Sequence, residues 1–179
     1  MDRYIDNALN NTLKIKIILE NKRVYLSKSS TFVKLVTIGT LVLLVLASLT
    51  LMTINSSYGV IGGTILNVLI IGTVIYFYAN ALEKIMLEKD NLILKKKVGK
   101  ITISKIDIIS VNKLEYSNLT MTCGSKGFFG FIGSTMDDSV SLVKDRKNML
   151  RIVTKDKKYI VSAEKRGELI NEIKVLLQD

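Results

Sequence analysis

The sequence lacks several residue types that common structural and catalytic sites require. Its 179 residues include no His, no Trp and no Pro, and only one Cys. A single Cys cannot form an internal disulfide, so a disulfide-stapled secreted scaffold is excluded. Without His, the usual zinc sites and Ser–His–Asp triads are excluded as well. We expect no metal, no cofactor and no enzymatic activity.

Charge is also missing from one long stretch of the chain. The formal net charge is +10, yet none of the 26 Lys and Arg or the 16 Asp and Glu lies between Leu35 and Glu83. This uncharged run of 48 residues is long enough for two membrane-spanning helices, which need about 20 residues each. We predict a two-helix transmembrane hairpin over 31–82, with spans at about 35–54 and 60–82.

The ends of this hairpin carry the signals of helix boundaries and of orientation. A polar cluster at 55–59 predicts the turn, and Ser29, Ser30 or Thr31 is expected to cap the first helix. Seven Lys and Arg lie in 1–34 and six more in 84–100, whereas the turn has none. The positive-inside rule then predicts a two-pass protein of the cell membrane with both termini in the cytoplasm.

Three residues in or directly before the predicted second span are candidates for interhelical packing. Gly59 and Gly63 have the G-x-x-x-G spacing that lets helices approach closely, and Asn67 can form an interhelical hydrogen bond. The same residues leave open a polar pathway or a homo-oligomer contact.

The cytoplasmic N-terminal arm, residues 1–30, is predicted to form a short helix followed by extended structure. In that extended part, residues 23–26 could pair back across Asn21 and Lys22 with residues 13–17.

Residues 83–179 have the alternating pattern of a β-rich domain. Short apolar runs are separated by polar turns, and the segments 149–154 and 158–162 predict a hairpin. The chain then changes to helical spacing, with Ser162 as the expected N-cap and one apolar face. We predict an α+β domain, an antiparallel β-barrel or sandwich closed by a C-terminal helix whose apolar face comprises Leu169, Ile170, Ile173, Leu176 and Leu177.

The segment from Gly127 to Gly133, the hairpin that ends in 158–163 and the closing helix together resemble bacterial pleckstrin-homology-like (PH-like) domains. Some of these domains follow a transmembrane hairpin. The resemblance covers 83–179 and implies a PH-like barrel with a non-enzymatic role in binding or scaffolding. It implies no catalytic residues.

Basic residues after the second span are candidates for lipid binding. Lysines near an anionic leaflet are each attracted by about 1 kcal/mol. They equally fit positive-inside topology and solvated turns. A nucleic-acid partner is not expected, because no recognition motif accompanies the charge. The candidate residues for anionic lipid are Lys95, Lys96, Lys97 and Lys100.

A glycine-rich aromatic segment offers a second candidate site. In one interpretation it is an apolar loop that contacts the membrane or a partner protein; in the other it is a bulged strand whose rings fill the core. The residues concerned are Lys126, Phe128, Phe129 and Phe131.

Two further groups of residues are weaker candidates for a catalytic or metal site. Asp137 and Asp138 could serve acid–base catalysis or a metal, but adjacent loop acids more often cap or solvate a turn. Cys123 has no neighbouring base and is expected to be an inert, partly buried thiol.

These observations predict an integral membrane protein that presents a PH-like domain at the cytoplasmic face. The domain would recognise anionic lipid or a membrane or cytoplasmic protein partner. The alternative is an immunity or resistance protein against a membrane-active bacteriocin or another envelope stress.

Overall fold

The computed structural model describes residues 23–54, 57–115 and 119–178. Helices α1 (Thr31–Thr53) and α2 (Ser57–Asn80) lie side by side. Both are long and apolar enough to cross a membrane. Leu35 and Val68 are 71% and 65% exposed, which does not fit the core hairpin of a soluble protein.

The helix boundaries differ by a few residues from those predicted. Ser30 is the N-cap of α1, and its hydroxyl accepts a hydrogen bond from the Val33 backbone N–H at 3.4 Å. Helix α2 ends at Asn80, and Leu82 already belongs to a strand. The predicted second span was therefore two residues too long at its end, because a buried strand continues the apolar run without a break.

The rest of the described chain forms two β-sheets and a C-terminal helix, α3 (Arg166–Gln178). Sheet A has the strand order β1-β2-β3-β4 and sheet B the order β5-β9-β10-β8-β7-β6. The strands are β1 (Arg23–Leu26), β2 (Leu82–Leu87), β3 (Asn91–Lys96), β4 (Lys100–Ser104), β5 (Ile108–Lys113), β6 (Met121–Lys126), β7 (Phe131–Thr135), β8 (Ser139–Val143), β9 (Met149–Thr154) and β10 (Lys158–Ser162).

The two sheets are not closed into a barrel; they form a sandwich-like arrangement. Of the two predicted architectures, the sandwich is confirmed and the barrel is wrong. The predicted hairpin of β9 and β10 is present, but β10 also pairs in parallel with β8. A parallel pairing cannot be predicted from alternation, which is the same for strands of either direction.

The hairpin of α1 and α2 is inserted between the first two strands of sheet A. Strand β1 pairs antiparallel with β2, with Val24 opposite Met86. The predicted partner of β1, residues 13–17, lies outside the described residues. Since β1 precedes α1 and β2 follows α2, the sheet brings the two ends of the hairpin together.

The core lies between the sheets and beneath α3. Leu169, Ile170 and Ile173 of α3 are buried against it, as the helical spacing predicted. Ser162 does not cap this helix: it is the last residue of β10, and its hydroxyl accepts hydrogen bonds from the Lys144 and Asp145 backbone N–H groups.

A second apolar cluster covers the opposite face of sheet B. Its members are Val33, Leu114, Leu119, Met121, Phe131, Val143, Met149 and Ile160. Val33, in the first turn of α1, is only 1% exposed. The start of the first helix is therefore part of the core of the domain.

Candidate functional site at the base of the hairpin

The loop between β6 and β7 packs against the base of the hairpin, by which we mean residues 31–38 of α1 and 76–80 of α2. The Phe128 ring meets the Phe77 ring edge to face at 6.0 Å between centroids, and Phe129 meets Tyr78 in the same way at 6.0 Å. We call these four rings the aromatic clamp. It joins the domain to the second helix.

A backbone hydrogen bond joins the same loop to the first helix. The Phe129 N–H donates to the Thr37 hydroxyl oxygen at 2.9 Å, and that hydroxyl donates to the Val33 carbonyl at 2.7 Å. One threonine thus satisfies a loop amide and a helix carbonyl at once.

Two glycines allow the loop between β6 and β7 to lie close to α1 and to β8. Gly127 has φ +128°, and a Cβ there would lie 3.2 Å from Cγ1 of Val36. Gly130 has φ +140°, and a Cβ there would lie 2.5 Å from the Val143 carbonyl oxygen. A side chain at either position would be strained and would push the loop away from its neighbours.

Phe131, the third aromatic residue of the segment, belongs to the core. It is 5% exposed and stacks on Phe32 of α1 at 6.4 Å between centroids. The structure thus divides the predicted aromatic group: Phe131 fills the second cluster, while Phe128 and Phe129 are half-buried against the base of the hairpin.

The turn between β3 and β4 makes a second contact with the base of the hairpin. The Lys97 N–H donates to the Ala81 carbonyl and the Val98 N–H to the Ala79 carbonyl, both at 2.9 Å. The Val98 side chain is 64% exposed. An apolar residue is therefore displayed next to the end of α2.

Four lysines surround the base of the hairpin, and we call them the basic collar: Lys34, Lys97, Lys126 and Lys144. Lys34 lies in the first turn of α1, Lys126 directly precedes the loop, and Lys97 Nζ lies 6.0 Å from the centre of the Tyr78 ring. The Lys144 carbonyl accepts a hydrogen bond from the Ser30 N–H at 3.0 Å. Burial, and then the nearby Lys97 ammonium, lower the pKa of Lys144.

The four lysines predicted as one lipid site do not lie together. Lys96 donates from Nζ to the Asn80 side-chain oxygen at 2.9 Å, and Lys97 lies by Tyr78. Lys95 and Lys100 are cross-strand neighbours in sheet A. Lys96 and Lys97 thus lie at the base of the hairpin, whereas Lys95 and Lys100 lie in sheet A.

The predicted interhelical residues lie where α1 and α2 meet. A Cβ at Gly63 would lie 2.5 Å from Cγ of Met52 on the other helix. The Asn67 side-chain amide donates to the Ser48 hydroxyl and to the Gly63 carbonyl. Gly59 is buried at the end of the helix pair, where a Cβ would lie 2.9 Å from Cβ of Ile54.

Asp137 caps the turn between β7 and β8. Its carboxylate accepts hydrogen bonds from the hydroxyls of Thr135, at 2.7 Å, and Ser139, at 3.0 Å, and pairs with Arg151 at 2.9 Å. These partners, led by Thr135, lower the pKa of Asp137. Within the described residues, no group of three or more His, Cys, Asp and Glu is placed to hold a metal.

Thr37, Phe77 and Lys144 also belong to this site, although the sequence patterns did not predict them there. The available signal was position, because Thr37 and Phe77 lie near the ends of the predicted spans that are closest in sequence to the rest of the chain, where a domain must attach. Lys144 lies in a turn between strands, and only the fold brings it to the hairpin.

The comparison with family models agrees with this architecture. A family model described as "Bacterial PH domain" matches residues 83–177, from β2 into α3. No curated protein and no solved structure matches the chain. Since the family match covers more than half of the sequence, the chain belongs to the bacterial PH domain family.

Proposed function

We propose that this protein holds a PH-like domain against the cytoplasmic face of a membrane, where the domain recognises anionic lipid headgroups. The observation that carries the proposal is the basic collar: four lysines from separate parts of the chain surround the base of two helices long enough to span a bilayer. Anionic headgroups attract such juxtamembrane lysines.

The attachment of the domain supports this proposal. The aromatic clamp, the Thr37 hydrogen bond and the buried Val33 fix the domain to the hairpin on two sides. A domain tethered by a flexible linker would sample many orientations, whereas this one keeps Lys97, Val98 and Lys126 at the level where the helices end. Tyr76 and Tyr78, which are 61% and 50% exposed, suit the interfacial region at that level.

In this proposal the lysines also set the orientation, with both termini and the domain in the cytoplasm. No catalytic step is assigned. The carboxylate with the best claim to acid–base chemistry, Asp137, already accepts two hydrogen bonds and pairs with Arg151.

The test is hydrogen exchange of the full chain in vesicles of phosphatidylcholine, with and without phosphatidylglycerol. We expect slower exchange of peptides covering 96–100 and 125–130 in the anionic vesicles, and a smaller difference at high salt, because salt screens exposed charges. A peptide covering 155–158, at the other end of the domain, is the internal control. Equal exchange in neutral and anionic vesicles would overturn the proposal.

Recognition of a protein partner and immunity to a bacteriocin stay predictions. No contact among the described residues favours either over lipid. A gene for a small cationic peptide beside the gene of this protein would support immunity.

A further inference from the structure

Three lysines form a continuous row across sheet A. Lys84 of β2 lies directly opposite Lys95 of β3, and Lys95 lies directly opposite Lys100 at the start of β4. Directly opposed residues of antiparallel strands project from the same face, with Cβ atoms about 5 Å apart. The three ammonium groups therefore share one face of the sheet.

This row lies on the face of sheet A that points away from the core. Ile85 and Leu94, adjacent in sequence to Lys84 and Lys95, are fully buried in the core, so the lysines project to the other side. On that outer side the next row of the sheet is formed by Val24, Met86, Ile93 and Thr102. The lysine stems thus lie beside apolar side chains, and their charged ends are free to extend.

Lys84, Lys95 and Lys100 form no ion pair with any of the described residues. The ion pairs there join other residues, such as Lys28 with Glu164 and Lys113 with Glu115. Like charges directly opposite one another destabilise a sheet. Three in succession, none of them in an ion pair with a described residue, concentrate positive charge that a bound anion would stabilise.

The row also lies close to the base of the hairpin. Only the turn 97–99, which is hydrogen-bonded to the last residues of α2, separates it from the helix end. At about 3.3 Å per strand residue, the Lys95 backbone is within about 10 Å of the tip of that turn. Lysine side chains can extend from there toward the headgroup layer.

We propose that Lys84, Lys95 and Lys100 form a binding site for the phosphates of anionic lipid headgroups. The outer lysines are about 10 Å apart at their Cβ atoms and their side chains can extend along the face, so the row places three positive charges within reach of two neighbouring phosphates, which balance that charge better than one phosphate does. The site therefore favours a lipid with two phosphates over a lipid with one. This inference rests on the proposed function and adds to it a location, a new residue, Lys84, and a headgroup preference.

The experiment is a lipid titration of the full chain in detergent, followed by native mass spectrometry. The lipids are cardiolipin, which has two phosphates, phosphatidylglycerol, which has one, and phosphatidylcholine, which has no net charge. The row variant carries Lys84→Gln, Lys95→Gln and Lys100→Gln. The matched control carries Lys155→Gln, Lys157→Gln and Lys158→Gln, which removes the same charge from the turn at the far end of β9 and β10.

We expect the wild-type chain to bind cardiolipin more tightly than phosphatidylglycerol and to bind phosphatidylcholine least. A lysine near a lipid surface contributes about 1 kcal/mol, which is about 5-fold in affinity. The row variant should therefore lose at least about 10-fold in affinity for cardiolipin, and the control variant much less. Thermal unfolding should show that the row variant is folded and no less stable than the control, because its substitutions remove repulsion.

The outcomes separate this inference from the proposed function. If the wild type distinguishes anionic from neutral lipid but the row variant binds as the control does, the row is not the site, whereas the proposed function stands. If pyrophosphate in solution raises the unfolding temperature of the wild type as much as cardiolipin does, the site serves a soluble anion and the lipid assignment fails. Should the triple variant not fold, the same comparison is made with Lys95→Gln alone, since Lys95 is the centre of the row.

Discussion

At the scale of single residues, Thr37 is the most informative side chain of the protein. It belongs to a helix able to span a membrane, yet its hydroxyl is the acceptor for an amide of the domain, the Phe129 N–H at 2.9 Å. Replacing it changes the joint between hairpin and domain without touching either core.

Thr37→Val keeps the shape of the side chain and removes the acceptor. We expect it to lower the free energy of unfolding by about 1–3 kcal/mol, because the half-buried N–H of Phe129 loses its partner. Hydrogen exchange of the loop 127–130 in detergent micelles should become faster. Thr37→Ser, which keeps the hydroxyl, should behave as the wild type; equal exchange in the Val variant would contradict the assigned role.

Asp137 gives a prediction for pH. Its pKa is lower in the folded chain than its ordinary value of 3.8, so its stabilising contribution is complete above that value. The contribution is lost as the pH falls through the lower, folded-state pKa. Asp137→Asn should be less stable by about 1 kcal/mol at neutral pH and should lose less stability than the wild type on acidification below about pH 4.

Asp138→Asn is the matched control for this prediction, because it removes the same charge from an exposed neighbour. Chemical unfolding at a series of pH values measures the effect. The interpretation fails if the two variants show the same pH dependence.

At the scale of secondary-structure elements, the four-residue strand β1 contributes to both sheet A and the core of the domain. It forms one edge of sheet A and places Tyr25, 6% exposed, in the core. It lies outside the segment matched by the family model, which begins at residue 83.

A chain of residues 83–179 alone should therefore be unstable. It loses the Tyr25 side chain, whose burial contributes about 1.5–3 kcal/mol, and it leaves β2 as an open edge. Residues 23–30 joined by a short Gly/Ser linker to 81–179 should fold better. The two chains are compared by the dispersion of their amide signals in NMR spectra and by their unfolding temperatures. If both chains give the same dispersion and the same unfolding temperature, β1 is dispensable.

Several elements could be predicted from the sequence because their own residues determine them. The β9–β10 hairpin has apolar alternation on both sides of a charged turn, and the apolar face of α3 is continuous. Strand β2 could not be predicted, since Leu82 continues the apolar run of α2.

The candidate site was only partly predictable, for a related reason. Residues close in sequence can have different surroundings in the fold. Lys95 and Lys96 are consecutive in β3 and point to opposite faces, whereas Phe129 lies in the loop and Phe131 is the first residue of β7. Lys84 joins Lys95 only through the register of β2 and β3.

At the scale of the whole molecule, the proposed orientation can be tested with the single cysteine. Cys123 is exposed on β6, so the prediction of a partly buried thiol is wrong. A membrane-impermeant maleimide should therefore label it only when the cytoplasmic side is open to the reagent. In a Cys123→Ser background, Tyr58→Cys, at a position 88% exposed beside the opposite end of the hairpin, should be labelled on intact cells. The reverse pattern would invert the orientation.

The position of the hairpin between β1 and β2 has a consequence for how the protein is made. Strand β1 leaves the ribosome first, but its partner β2 is synthesised only after both helices. Sheet A can be completed only if the two strands end on the same side of the bilayer, which requires that both helices or neither be inserted. A chain with one helix inserted would hold β1 and β2 on opposite sides and expose the apolar edge of each. The folded domain thus excludes a hairpin with only one helix inserted, and such a half-inserted chain has an incomplete sheet for the quality-control proteases of the cell to recognise.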